Sequence, residues 1–133
     1  MTPNENLFDS KAPAFSWKAR LKSFRYAWEG IVSFFRWEHN AQIHLAITVL
    51  VLVLSVTLKL ANWEAIAVVF SVALVWVAEM FNTVVEKTMD FISTATHPQV
   101  KMIKDISAGA VLVTAIAALI IGCIVFIPKL LTL

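Results

Sequence analysis

Residues 39 to 58 contain no Asp, Glu, Lys or Arg. Their core, IHLAITVLVLVLSVTL, is long enough to cross the ~30 Å hydrocarbon layer of a bilayer, which takes ~20 residues of helix. Residues 65 to 85 form a second apolar stretch, interrupted only by Glu79 and Asn82, and residues 106 to 128 form a third. A chain of 133 residues that is 59% hydrophobic and 15% charged could not bury this much apolar surface in a soluble fold of its size. Length allows one small domain. The single cysteine, Cys123, excludes an internal disulfide framework. An all-α membrane protein with three spans is expected, over about 40–60, 64–90 and 105–128. The short KLANWE link makes the first two an antiparallel hairpin.

Lys and Arg set the orientation. Lys11, Lys18, Arg20, Lys22, Arg25 and Arg36 precede the first span, and Lys87, Lys101 and Lys104 lie between the second and third. Only Lys59 and Lys129 fall on the other side. The N-terminus and the 91–105 connection should therefore be cytoplasmic. Residues 1–15 read as a polar, Pro-containing, flexible tail with no signal-peptide pattern. From 16 to 37 the pattern changes: Trp17, Leu21, Phe24, Trp28, Ile31 and Phe35 recur every three or four residues with cations between them. That spacing predicts an amphipathic helix at the membrane surface.

The second span carries VAEMFNTVVEKTMD. Glu79, Asn82, Glu86 and Asp90 are spaced three, four and four apart, which places them along one helical face. Met80, Phe81, Val84, Val85 and Thr88 fall opposite. A carboxylate at bilayer depth costs on the order of 2.5–3.5 kcal/mol on insertion scales. Hydrogen-bonded helix glue would suit a lone Asn or Glu, but like charges at i,i+4 repel. A site for a hard cation fits better. Mg²⁺ takes one or two carboxylates, keeps waters and completes its shell with substrate phosphates.

Further polar groups gather at the same membrane face: Glu38 at the mouth of the first span, and Lys101, Lys104 and Asp105 before the third. Carboxylates, an amide and a lysine form the inventory of phosphoryl transfer, where charge on phosphate is neutralised and a base takes a hydroxyl proton. With three glycines in the chain, a Gly-rich nucleotide loop is excluded.

The pattern AE-x-x-NT-x-x-E-x-x-x-D, followed by HP-x-x-K-x-x-KD-x-x-AGAVL, resembles the small integral-membrane diacylglycerol kinases of bacteria. The E-x-N-x-x-IHL variant in the first span resembles the branch that includes undecaprenol kinases. The resemblance covers roughly residues 18 to 127. It implies a homotrimeric bundle in the bacterial inner membrane with sites shared between subunits. It also implies Mg²⁺-dependent transfer of phosphate from ATP to a membrane lipid alcohol. Glu79 would be the catalytic base and Asn82 would orient the reacting groups. Glu38 and Glu86 would hold the metal that bridges the ATP phosphates, Asp90 would lie on the nucleotide side, Lys104 on the phosphates, and Asp105 would support that end. Where related sequences often carry Arg, this chain has Gln42, so no phosphate or headgroup role is carried to that position.

The remaining candidates read more plainly. His39 and His44, five apart, do not form a metal pair, and His44 is expected at the lipid interface or in a helix contact. His97 reads as a turn residue, and Asp105 could also cap the third span. Ser107, Ala108, Gly109 and Ala110 permit close helix packing. Cys123 reads as an inert apolar-site residue. The rival reading is an oligomeric cation channel or transporter lined by Glu79 and Glu86. Against it, IAVVFSVALVWV offers the outer half only Ser71. Of the two lipid alcohols, the E-x-N-x-x-IHL variant favours undecaprenol over diacylglycerol.

Overall fold

The structure, a computed structural model, describes residues 15–92 and 97–132. Four helices follow in order: α1 (Trp17–Trp37), α2 (His39–Thr57), α3 (Asn62–Ile92) and α4 (Pro98–Leu131). No strand occurs among the described residues. All but the last residue of the tail expected over 1–15 lie outside them. α2, α3 and α4 are each long and apolar enough to cross a membrane.

Local chemistry explains the boundaries. Glu38, in extended backbone (φ −103°, ψ 117°), separates α1 from α2 and makes no side-chain cap. α2 ends in a Schellman motif: Lys59 N donates to Val56 O (3.2 Å) and Leu60 N to Ser55 O (3.2 Å). Lys59 occupies the left-handed position at φ 50°, where glycine is the usual occupant. At the start of α3, Glu64 accepts from the Ala61 amide at 2.6 Å, one half of a capping box. His97 caps α4, its Nδ1 accepting from Gln99 N at 3.2 Å, with Pro98 in the first helical position. The third apolar helix therefore begins well before 105. Asp105 lies inside α4, and the capping role offered for it belongs to His97.

The chain falls into two compact units, Met1–Ser33 and Phe34–Leu133. Within the first, the α1 stripe of Trp17, Leu21, Phe24 and Trp28 is exposed, and Arg25 pairs with Glu29 one turn on at 3.2 Å. Within the second, α3 packs chiefly on α4 and less on α2. Val68, Val125 and Phe126 form the buried core, flanked by Val51, Leu54, Leu58, Leu60, Val72 and Ile121. That core lies toward the α2–α3 turn, where Lys129 also reaches Glu64 at 3.0 Å. Outward-facing Phe70, Phe81, Leu119 and Ile124 are largely exposed, as lipid-facing side chains of spanning helices are. The opposite end of the unit, where α2 begins and α3 ends, holds the polar residues.

Candidate active site

Three turns of α3 carry the acidic stripe. Glu79 is 4% exposed and Asn82 6%. Glu86 is intermediate and Asp90 exposed. The stripe thus runs from a dry end to a wet end over about 16 Å at 1.5 Å per residue.

Each member has a defined partner. His44 Nε2, from α2, meets Glu79 Oε1 at 3.0 Å. Toward a carboxylate, which only accepts, the imidazole would be the donor. Asn82 uses both ends of its amide: Nδ2 donates to Glu86 Oε1 at 3.2 Å, and Oδ1 accepts from Ser107 Oγ of α4 at 2.7 Å. Lys104 Nζ donates to Asp90 Oδ1 at 2.6 Å, and Lys87 Nζ lies 2.9 Å from Glu38 Oε1. Lys101 pairs with Asp105 one turn along α4. No buried side-chain N or O lacks a hydrogen-bond partner among the described residues.

An aromatic layer supports this end. Trp76 Nε1 donates to Thr48 Oγ1 at 3.1 Å, and Thr48 Oγ1 donates back to the His44 carbonyl at 2.7 Å. Phe35 packs on the Trp76 ring with centroids 4.8 Å apart, and His44 meets it edge-on at 6.3 Å. Below His44, Thr48 and Trp76 an apolar groove of about 420 Å³ runs between α2, α3 and α4 toward Phe126.

The structure therefore joins Glu79, Asn82 and Glu86 in one face and brings Glu38 to it through Lys87, which directly follows Glu86. Asp90 and Lys104 meet at its wet end. Asp105 lies one turn from Lys101 on the same helix rather than bonded to the stripe. Two residues that the sequence left bland belong to the site. His44, expected at the lipid interface or in a helix contact, holds Glu79. Ser107, expected only to permit packing, holds Asn82. The signal for His44 was present: an ionisable side chain inside an otherwise apolar span is itself a pointer to function. Ser107 carries no such signal, because a serine among small residues is common and its partner lies on another helix.

A match to the prokaryotic diacylglycerol kinase family model spans residues 25–126, most of the chain. The chain belongs to that family. It is a family of lipid kinases, and its membership agrees with three membrane-spanning helices. Among relatives, an undecaprenol kinase of Bacillus subtilis (strain 168) is 37% identical over 110 residues, 83% of this chain and 89% of that protein. A diacylglycerol kinase of Synechocystis sp. is 40% identical over 117 residues, 85% of this chain and 65% of that protein.

Among the described residues no three His, Cys, Asp or Glu side chains converge as a ready-made metal cage. Glu38 and Glu86, expected to hold a metal, both offer oxygen, the donor type Mg²⁺ takes, and they are engaged here by Lys87 and Asn82.

Proposed function

We propose that this protein transfers the γ-phosphoryl group of ATP to the hydroxyl of a membrane lipid alcohol at the cytoplasmic face. The observation that carries the reading is Glu79: a carboxylate 4% exposed, within an apolar helix, and bonded by His44 at one oxygen. In the step, the hydroxyl oxygen bonds to the γ-phosphorus as the bond to the β,γ-bridging oxygen breaks. Glu79 takes the hydroxyl proton, and ADP leaves. Asn82, fixed at both ends, orients Glu86. Glu38 and Glu86 would hold Mg²⁺, which when bound neutralises phosphate charge. Lys104 moves from Asp90 to the phosphates, with Asp90 and Asp105 bordering the nucleotide.

The distribution of Lys and Arg supports a cytosolic N-terminus and a cytosolic connection between the second and third spans. We place α1 on the membrane surface, since its exposed Trp17, Leu21, Phe24 and Trp28 alternate with cations. Glu86 and Asp90 stay open in the single chain, and a homotrimer would cover them. Undecaprenol is the favoured acceptor and diacylglycerol the alternative. The IHL sequence of α2 supports this choice, as does the undecaprenol kinase among the relatives.

The test is transfer of labelled phosphate from Mg·ATP by purified protein in mixed micelles, with each lipid offered separately. Glu79→Gln should lower turnover by roughly 10²–10⁴-fold, the usual worth of a general base. Assembly and Mg·ATP binding should persist. Wild-type turnover in E79Q would remove Glu79 from the chemistry, and loss of folding would mark it as helix glue.

A further inference from the structure

We infer that His44 is a positioning residue for the base: its Nε2–H fixes Glu79 Oε1 and leaves Oε2 as the proton acceptor. This deepens the proposed kinase reading and rests on it. Glu79 is nearly sealed from water, so a partner must replace the hydrogen bonds that burial removes. Asn82, one turn away, is turned elsewhere, with its amide bonded to Glu86 and to Ser107. His44 is the side chain that reaches Glu79, at 3.0 Å.

The imidazole is itself held. Thr48 bonds the His44 carbonyl and receives the Trp76 indole proton, and the Trp76 ring stands edge-on to the His44 ring. Thr48 lies one turn beyond His44 on α2, and Trp76 lies one turn before Glu79 on α3. The same lock therefore sets the register of the two helices and the direction of the carboxylate. His44 also lines the apolar groove and so joins it to Glu79, which it bonds. Other charged groups on the adjoining elements are engaged elsewhere: Lys87 with Glu38, Lys104 with Asp90, and Lys101 with Asp105. Misplacing a reacting group by an ångström can lower a rate by ~10²-fold, which sets the scale for losing this donor.

The experiment compares H44M and H44Q, nearly equal in shape and differing in the N–H, in the micelle assay with E79Q alongside. H44M should lower kcat by about tenfold to a hundredfold while the KM for ATP stays within about twofold. H44Q should recover most of that kcat, since its amide N–H reaches where Nε2 stands. A residue that merely packs would show equal kcat in both variants per folded enzyme. Equal kcat values, or wild-type turnover in H44M beside an inactive E79Q, would overturn the inference and leave the kinase reading intact. An active E79Q would instead remove the reading beneath it. Should H44M fail to assemble, H44A assayed with and without imidazole decides: restored turnover supports the donor role, and no response overturns it.

Discussion

Ser107→Ala removes one hydroxyl and nothing else from the described site. The Ser107 Oγ–H has Asn82 Oδ1 at 2.7 Å and the Lys104 carbonyl at 2.9 Å in reach, the shorter contact being to Asn82, which is 6% exposed. Water cannot readily take the vacated place. A buried acceptor left without its donor costs about 1–3 kcal/mol. Asn82 Nδ2 in turn holds Glu86, so the amide can escape the penalty only by rotating away from Glu86. If the penalty falls on the aligned arrangement, the rate drops tenfold per ~1.4 kcal/mol, or roughly 5- to 150-fold in kcat. The KM for the lipid should stay within about twofold, because no lipid contact is altered. Initial rates in mixed micelles against lipid concentration give both constants, and thermal melting in the same detergent gives stability. Ser107→Thr keeps the hydroxyl and should retain most activity. Wild-type kcat with an unchanged melting point in S107A would show that Asn82 is not held by Ser107. A lower melting point with unchanged kcat would show that the bond joins α3 to α4 without serving the chemistry.

Lys104→Met breaks a pair whose side chains are 33% and 63% exposed, worth ~0.2–1 kcal/mol at such sites. Melting should scarcely move, whereas the KM for ATP should rise at least tenfold if Lys104 binds phosphate; an unchanged KM measured over a range of ATP would confine it to its ion pair. Lys59→Gly removes a side chain from a left-handed position that costs an L-residue roughly 1–2 kcal/mol, less the entropy glycine adds to the unfolded chain. K59G should therefore melt higher than K59A by up to about 1 kcal/mol, and the reverse order would show that the α2–α3 turn tolerates Lys59 without strain.

Much of the fold was legible because hydrocarbon permits few structures. A run without charge from 39 to 58 can be little else than a spanning helix, and α2 occupies His39–Thr57. The boundaries at the polar ends were harder to see. The charges of Lys101, Lys104 and Asp105 make residues 98–105 look like connection, yet they form the first turns of α4, started by the His97 cap and Pro98. Charge marks where a helix leaves the apolar layer, not where it stops. Within the site, Glu79, Asn82 and Glu86 were legible because they repeat at helical spacing on one element. Their partners were not, since His44 and Ser107 are 35 and 25 residues away from the groups they bind. The pairing of Glu38 with Lys87 was hidden for the same reason: both charges are visible in the sequence, but their contact exists only once α2 folds back on α3.

The gradient of burial along α3 assigns different physical tasks to its two ends. At Asp90 and Lys104 the ions face solvent, and an exposed pair of this kind is weak and screened. Such a lysine can leave its carboxylate for an arriving phosphate at little cost, as a reversibly bound nucleotide requires. At Glu79 the surroundings are dry and its partner is His44 rather than water, so the proposed base would keep one direction. Asn82 lies between, with one end on Glu86 and the other on Ser107, and so ties the fixed end to the exchangeable one. A lipid alcohol arrives from the bilayer with only a hydroxyl to position, and a rigid, desolvated acceptor suits it. In the proposed reaction a nucleotide would arrive from water with several charges to neutralise, and mobile, solvated ions suit it. One helix running from a dry end to a wet end supplies both environments within about three turns, along the single face that carries the three carboxylates and the amide.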